Sequence, residues 1–475
     1  MALTLSVEEI VEQSKSPLLG IASGWKRVRL GDIATIQNGA PFKSELFNKE
    51  GKGMPVIRIR DVGNAGTDTY YSGEYDPAYV VRDGDLLIGM DGDFNCARWK
   101  GPDALLNQRV CRILPKTDKY EPRLMDHALP GYLKAINEVT SSVTVKHLSS
   151  KTIADIPLPL PPLPQQRRIV EAIEVQLGRL DAAVARLQGA KARLERYKQA
   201  VLKAAVEGRL TEEWREKNPD VEHADTLVSR LKEMRRDEWE RQKMAGERRS
   251  LIQNETAEQQ EPLDIELPDT WTWATPEEIA SPEPYAIGIG PFGSNLKVSD
   301  YTSEGVPLIF VRHITSENFD LDLKFTSERK YKELIAHVAK PLDVLVAKMG
   351  DPPGDATIYP EDRLPGVMTA DCIKLRVWAP HISREYVMHC IRSYVVKQQL
   401  GLITIGVAQK KISTGRFKTL LFPMPPTREQ FVIAEMIAER LDRCKTTEDL
   451  VDAQLQQAVR LRQAVLKRAF EGRLG

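Results

Sequence analysis

Residues Ala200–Leu210 read AVLKAAVEGRL, and Ala464–Leu474 read AVLKRAFEGRL. The two stretches lie 264 residues apart (464 − 200). The same shift separates the proline-rich stretch Pro159–Gln166, PLPPLPQQ, from Pro423–Gln430, PMPPTREQ (423 − 159). Because similarity at a fixed period marks a repeated structural unit, we interpret the chain as one unit written twice. The segment between the two markers has the same length in both copies.

Upstream of these markers the two copies match more weakly but in the same order. Pro41–Ser44 corresponds to Pro291–Ser294 at a shift of 250 (291 − 41), and Asp85–Ile88 corresponds to Asp343–Val346 at a shift of 258 (343 − 85). Insertions therefore fall inside the first part of each unit. Dense turn signals between short apolar runs predict that this first part is a mixed α/β domain with several short strands.

Each unit ends in a long predicted helix. Pro164 suits the first turn of a helix and Gly208 suits the residue beyond its end, so together they bracket about 44 residues. Apolar residues follow at alternating steps of four and three, which is typical of a heptad seam. The first seam contains Ile173, Leu177, Leu180, Val184, Leu187, Leu194 and Val201, and the second contains Ile437, Leu441, Cys444, Val451, Leu455 and Val465. Lys191 interrupts the first seam and Glu448 the second.

These patterns predict an α+β protein with a pseudo-twofold internal repeat. Two mixed α/β domains are joined by two long helices, which we expect to pack as an antiparallel coiled coil within one chain. The predicted segments are an N-terminal helical extension (1–24), a first α/β domain (25–158), a first helical region (159–210), a charged helical linker (211–266), a second α/β domain (267–422) and a second helical region (423–475).

The linker carries its own helical pattern, with apolar residues at Leu227, Leu231, Met234 and Trp239. Its charge and its scarcity of glycine and proline fit an amphipathic helix. A solvated helical linker and a hairpin that docks a partner protein are both compatible with this pattern.

Composition narrows the class of protein. With 475 residues, 42% of them hydrophobic and 28% charged, the chain is expected to be globular and to contain more than one domain. Its apolar runs are far shorter than the ~20 residues of a membrane helix. Glu8 and Glu9 stand where a secretory signal carries basic residues, and the five cysteines are scattered, so we expect a cytoplasmic protein without a zinc site. The formal net charge is zero, so nucleic-acid binding requires a local basic surface.

Two motifs suggest a cofactor or catalytic site, but their surroundings do not. Gly288–Gly293 fits the G-x-G-x-x-G pattern of nucleotide sites, yet Pro291 lies within it and no clear buried strand precedes it. Asp351–Gly354 (DPPG) is similar to the D-P-P-aromatic loop of amino-methyltransferases, but Gly354 replaces the aromatic residue. We therefore expect no catalytic, cofactor or metal site. A methyltransferase with a fused recognition domain and a coiled-coil scaffold with two ligand-binding heads stay open as alternatives.

The junction between each α/β domain and its helix resembles a known family. The stretches PLPPLPQQRRIV and PMPPTREQFVIA, each leading into a long helix, are similar to the head-to-coil junction of type I restriction-modification specificity subunits. Gln430 follows Glu429 as in the family pattern, whereas Gln165 departs from it by one residue. The stretch Ala200–Arg215, AVLKAAVEGRLTEEWR, is similar to the central region of the K-12 type subgroup.

This resemblance implies a noncatalytic DNA-binding subunit. Each α/β domain would be a target-recognition domain that reads one half of a split, asymmetric site in double-stranded DNA, and the coil would set the gap. The implied partners are two modification subunits, which bind S-adenosylmethionine and methylate adenine, and two restriction subunits driven by ATP and Mg²⁺. None of these cofactors would bind to this chain.

Candidate DNA-binding residues lie in loops and on predicted strands. Lys146 and His147 in the first unit, and Gln409, Lys410 and Lys411 in the second, occupy equivalent loops before the proline-rich junctions, where the family places DNA-facing loops. Glutamine can read adenine, and lysine can hold phosphate or guanine. Weaker candidates lie on or beside predicted strands: Arg58, Arg60, Arg312 and Lys348. The alternation in Val56–Arg60 predicts a strand with Arg58 and Arg60 on its solvent face.

Overall fold

The computed structural model describes residues 5–14, 16–140, 146–244, 263–350, 353–403 and 411–474. The chain forms two compact units. Unit 1 contains residues 1–189 and 451–475, and unit 2 contains residues 190–450. Among the described residues, none of the helices is long and apolar enough to cross a membrane.

Unit 1 contains a mixed α/β part, which we call head 1. Its helices are α1 (Val7–Gln13), α2 (Leu30–Ile33), α3 (Pro122–Val139) and α4 (Ser150–Ala154). Its strands are β1 (Lys26–Arg29), β2 (Ala34–Asn38), β3 (Phe47–Asn48), β4 (Met54–Ile57), β5 (Tyr70–Tyr71), β6 (Val80–Val81), β7 (Leu86–Gly89), β8 (Cys96–Arg98), β9 (Ala104–Leu106), β10 (Val110–Pro115) and β11 (Pro157–Leu160). They form three sheets, of order β1-β11, β2-β10-β7-β8 and β3-β5-β4-β9-β6.

A 44-residue helix, α5 (Leu163–Val206), follows head 1, within one residue of the predicted start. Its N-terminal part lies in unit 1, where Ile169 and Ile173 are buried with the head residues Leu129 and Ile153 in one core. Residues of the last helix of the chain, including Phe470, complete that core. The proline-rich junction is therefore a place where strand β11 passes directly into a packed helix.

Unit 2 contains the second mixed part, head 2. Its helices, with the short helices before it, are α6 (Glu212–Lys217), α7 (Ala224–Met244), α8 (Pro276–Ile279), α9 (Val311–Ser316), α10 (Glu328–Glu333), α11 (Arg384–Arg392), α12 (Tyr394–Ile403) and α13 (Thr414–Lys418). Its strands are β12 (Thr272–Ala274), β13 (Ile287–Ile289), β14 (Tyr301–Thr302), β15 (Val306–Ile309), β16 (Phe325–Thr326), β17 (Val338–Ala339), β18 (Val344–Ala347), β19 (Ala356–Ile358), β20 (Gly366–Met368), β21 (Cys372–Leu375) and β22 (Phe422–Met424). The sheets have the order β12-β22, β13-β21-β18-β19 and β14-β16-β15-β20-β17. This is the same sequence of pairings as in head 1.

Helix α14 (Thr427–Phe470) is also 44 residues long. In unit 1, Arg462 Nη1 of α14 donates to Asp181 Oδ1 of α5 at 2.8 Å. In unit 2, Lys198 Nζ of α5 donates to Glu448 Oε2 of α14 at 2.6 Å. All residues of the two predicted seams are buried or partly buried, which agrees with their spacing.

The charged linker contains the predicted helix as α7. Leu227 and Leu231 are buried in the core of unit 2, while Met234 is exposed. The guanidinium of Arg235 donates to the carbonyl oxygens of Glu278 and Ala280. Within unit 2, α7 is thus an additional element of the head and packs on it through one apolar face.

Candidate nucleic-acid interface

One edge of head 1 gathers loops from four parts of the chain. Strands β4 and β9 are parallel, with Val56 opposite Leu105, so their carboxyl ends lie at the same edge. Backbone hydrogen bonds join the other loops: Met90 N donates to Arg109 O at 2.9 Å, and Leu148 N donates to Met90 O at 2.7 Å. We call this the loop edge of head 1. It is formed by residues 58–61, 90–92, 107–109 and 146–148.

A buried carboxylate connects an arginine and a histidine side chain at this edge. Arg109 Nη1 donates to Asp91 Oδ2 at 2.5 Å, and His147 Nδ1 lies 2.7 Å from Asp91 Oδ1. The side chain of Asp91 is 5% exposed, whereas those of Arg109 and His147 are 59% and 57% exposed. Because a carboxylate accepts hydrogen bonds, the contact assigns a proton to His147 Nδ1, and the imidazole ring stays more than half exposed.

Lys146, the neighbouring candidate, faces inward. Its ammonium donates to the carbonyl oxygen of Asn137 at 2.7 Å and to Asn137 Oδ1 at 2.8 Å. Asn137 Nδ2 in turn donates to the carbonyl oxygen of Gly92. These bonds tie the loop to the end of α3, so Lys146 helps to shape the loop edge in this structure.

The arginines after β4 do not continue the strand, so the predicted alternation across Val56–Arg60 was wrong beyond Ile57. The chain turns instead into a 3₁₀ helix, Ile59–Asp61, because Asp61 Oδ2 accepts the backbone N–H of Arg58 at 2.9 Å. Burial raises the pKa of Asp61. Arg58 and Arg60 then converge on one carboxylate oxygen, Asp68 Oδ1, at 3.0 and 2.6 Å.

Head 2 has the corresponding loop edge, formed by residues near Arg312, Lys348, Asp371 and Lys411. Strands β15 and β20 are parallel, and the same backbone links recur: Lys348 N donates to Asp371 O, and Ile412 N donates to Lys348 O. The bridge between Met349 and Lys411 corresponds to the bridge between Asp91 and His147 in head 1. The candidates Gln409 and Lys410 lie outside the described residues.

The side chains at the head 2 edge differ from those of head 1. Lys411 Nζ lies 3.8 Å from Asp371 Oδ1, and both side chains are close to half exposed. Arg312 donates to the carbonyl oxygen of Asp322 and lies 3.9 Å from the ring centroid of Phe310. Lys348 is partly buried, with its Nζ 3.5 Å from the carbonyl oxygen of Ala370.

The glycine-rich motif of head 2 has a packing role. A Cβ on Gly290 would lie 2.0 Å from the carbonyl oxygen of Thr369, and a Cβ on Gly39 of head 1 would lie 2.1 Å from that of Asn107. Each glycine therefore admits the close approach of a neighbouring backbone. In the part of the chain that the structure describes, there is also no cluster of three or more metal-ligating side chains.

A curated relative covers the whole chain. The specificity subunit of the type I restriction enzyme EcoBI from Escherichia coli is 34% identical over 491 residues, which cover 100% of this chain and 91% of the relative. The chain belongs to the type I restriction specificity subunits. The resemblance carried by the two proline-rich junctions is confirmed.

Further similarities agree with this family. The model of the type I restriction modification DNA specificity domain matches residues 22–195. The EcoKI specificity subunit of Escherichia coli K12 is 21% identical, over 96% of this chain and 90% of its own. A chain from a solved type I restriction-modification assembly aligns with a TM-score of 0.64 and 18% identity, over 96% and 99% of the two chains. That last likeness shows that the two chains share a fold.

Sequence reasoning missed three members of the loop edges of this specificity subunit. Asp91 and Arg109 lie 18 residues apart, and Asp371 lies 40 residues before Lys411, so only the folded sheet brings each pair together. One signal was available. Asn107–Arg109 stands between two apolar runs, which predicts a turn at the end of a sheet and hence an exposed arginine beside it.

Proposed function

We propose that this specificity subunit binds double-stranded DNA through the loop edges of its two heads, each of which reads one half of a split, asymmetric target. The observation that carries the proposal is the pair of edges built on matching backbones with different side chains. Head 1 presents Arg109 and His147 around Asp91, and head 2 presents Lys411 beside Asp371. Two loop edges with the same backbone but different side chains suit two half-sites of different sequence.

The side chains of both edges suit DNA. Exposed guanidinium and ammonium groups bind phosphates and donate to guanine, and imidazole and carboxylate groups add donors and acceptors that distinguish bases in the major groove. The formal net charge of zero is compatible with this role, because only the edges need to be basic. Among the candidates, Arg58, Arg60 and Arg312 would serve as phosphate contacts beside the edges, where Asp68 and Asp322 hold their guanidinium groups in place.

The same proposal gives α5 and α14 the role of a spacer, packed as an antiparallel coiled coil that holds the heads in a pseudo-twofold arrangement. Two contacts support the antiparallel direction. Asp181 on α5 meets Arg462 on α14, and Lys198, further along α5, meets the earlier residue Glu448. A stiff spacer of fixed length would set the separation of the half-sites.

In this proposal, methylation and restriction are catalysed by other subunits. Two modification subunits would bring S-adenosylmethionine, and two restriction subunits would bring ATP and Mg²⁺, while this chain acts as a noncatalytic subunit in the cytoplasm. Both long helices offer exposed apolar side chains that a partner would cover: Val175, Phe431, Leu450 and Val459.

The test compares the chain alone with its complex with a modification subunit. We expect duplex binding with a steep salt dependence, and adenine methylation of one split sequence only in the complex. Methylation by the purified chain alone would favour the methyltransferase alternative. Failure of both chain and complex to bind duplex DNA would favour the scaffold alternative.

A head exchange tests modularity. Residues 25–150 are replaced by the corresponding head of another specificity subunit, and the preferred DNA is selected from a randomised pool. One half-site should change while the other half-site and the gap stay constant. Simultaneous change of both half-sites would contradict independent reading by the two heads.

A further inference from the structure

We infer that Arg109 reads a guanine in the half-site of head 1, and that the buried carboxylate of Asp91 positions it together with His147. This inference rests on the proposed function and assigns a specificity-determining residue within it. It concerns three side chains that meet at the loop edge of head 1, two of them exposed and one buried.

The three side chains differ sharply in their exposure to solvent. Asp91 uses one oxygen for Arg109 and the other for His147, and is itself almost inaccessible. Both of its partners remain more than half exposed. A carboxylate with this geometry restrains two long or rotatable side chains without occupying their outer faces, which lowers the entropy lost when they bind a ligand.

The backbone of this edge takes the same form in head 2, which lacks the trio. In head 1, Leu148 N donates to Met90 O and Gly92 N donates to Lys146 O. In head 2, the corresponding loop is held by Ile412 N donating to Lys348 O, with Met349 at the position of Asp91. The same backbone frame therefore occurs with the side-chain network in head 1 and without it in head 2.

The guanidinium of Arg109 keeps donors available for a base. Asp91 engages Nη1 of the guanidinium, and within the described residues Nε and Nη2 make no hydrogen bond to another side chain. An arginine with two free nitrogens matches the O6 and N7 acceptors of guanine in the major groove, which is the most common specific contact to DNA.

The test uses the complex of the full chain with its modification subunit and a DNA pool randomised over both half-sites. For Arg109→Gln, we expect the preference for guanine at one position of the head 1 half-site to fall roughly 5- to 150-fold, with the head 2 half-site unchanged. Asp91→Asn should weaken the same position to a smaller degree, because the guanidinium is kept but loses its orientation. Thermal unfolding of each variant monitors folding.

Arg123→Gln is the matched control. Arg123 is 51% exposed and paired with acidic residues, like Arg109, but it stands at the start of α3, and only the far end of that helix contacts the loop edge, through Asn137 and Gly92. Fourteen helical residues separate the two ends, or about 21 Å. The complex with Arg123→Gln should select the same DNA sequence as the wild-type complex.

The outcomes separate the inference from the proposed function. An unchanged base preference in a folded Arg109→Gln complex overturns the inference while the wild type still selects a split target. A uniform loss of affinity across all sequences, with a shallower salt dependence, also overturns it, because that result identifies a phosphate contact. Absence of any sequence preference in the wild-type complex would defeat the proposed function itself.

Discussion

Lys198 Nζ on α5 lies 2.6 Å from Glu448 Oε2 on α14, at the point where the heptad spacing of α14 calls for an apolar residue. The two side chains are 25% and 20% exposed. A charge at a seam position is costly when it is alone, but a matched pair fixes which residues of the two helices meet. The defect predicted at Glu448 is therefore one half of a paired contact.

Removing one partner of the Lys198–Glu448 pair should lower the free energy of unfolding more than replacing both partners by apolar residues. We expect Glu448→Ala to lower the free energy of unfolding by about 1–2 kcal/mol, between the values for buried and exposed pairs. Lys198→Leu combined with Glu448→Leu should recover that loss. Urea unfolding measures both effects. Arg443→Ala, which breaks a well-exposed pair with Glu439 on the same helix, should cost less than about 0.5 kcal/mol. Equal losses for Glu448→Ala and Arg443→Ala would contradict a role for the seam pair.

A second buried acidic residue, Glu429, anchors the N-terminal end of α14 in unit 2. Glu429 is fully buried and accepts hydrogen bonds from Thr211 Oγ1 at 2.6 Å, Arg215 Nη1 at 2.6 Å and Trp271 Nε1 at 2.9 Å. Glu429→Gln keeps the shape but removes the charge opposite Arg215. We expect unit 2 to lose roughly 2–4 kcal/mol, measured by thermal unfolding. The same change at the exposed Glu435 is the control and should be nearly neutral. A neutral Glu429→Gln would show that the charge is dispensable.

Lys374 makes the stability of unit 2 depend on pH. Lys374 is a residue of β21, and its ammonium donates to the carbonyl oxygens of Ala336 and Val338. Burial lowers the pKa of Lys374 to about 8, while nearby Asp343 and Glu283 oppose the shift and Arg376 and Lys340 add to it. The unfolded chain binds this proton up to a pKa of about 10.4. Between these values the unfolded state holds more protons, so stability rises with pH.

We expect the free energy of unfolding to gain up to about 3 kcal/mol from this group between pH 8 and pH 10.5. The measurement is the difference between wild type and Lys374→Met in urea unfolding at several pH values, because other titrations cancel in that difference. Lys374→Arg is a second comparison that keeps the charge without titrating. Parallel stability curves for wild type and Lys374→Met would exclude the effect.

The sequence was sufficient for features that depend on local pattern. The two long helices follow from the heptad spacing of their apolar residues, and the short strands of each head follow from apolar runs between turn residues. The strand predicted through Arg60 failed because a side chain, Asp61, captures the backbone N–H of Arg58 and ends the extended conformation. Apolar alternation carries no information about such a cap.

The site was less accessible to prediction because its parts are distant in sequence. His147 was identified from its place before the proline-rich junction, but its partner Asp91 lies 56 residues earlier. The equivalent positions in head 2 carry Lys411 and Met349. Because neither residue type is shared between the two copies, comparing the copies could not point to Asp91 and His147 as a pair. The backbone of the edge repeats, whereas its side chains do not.

The spacer role of the helices predicts how the gap in the DNA target responds to helix length. Because Asp181 meets Arg462, residues near Val184 lie opposite residues near Ala458, and one heptad inserted after each keeps the seams in phase. The coil then lengthens by about 10 Å at 1.5 Å per residue, which is about three base pairs at roughly 3.4 Å each.

We expect selection from DNA with randomised spacers to yield unchanged half-sites separated by a longer gap. Three base pairs also rotate one half-site by over a quarter of a turn, at about 10 base pairs per turn, so the DNA must twist and affinity should fall even for the longer target. A heptad inserted in α5 alone is the control, and it should impair folding because the seams lose their partners. A folded, active double insertion that kept the original gap would show that contacts outside the two helices, such as those of the modification subunits, set the spacing.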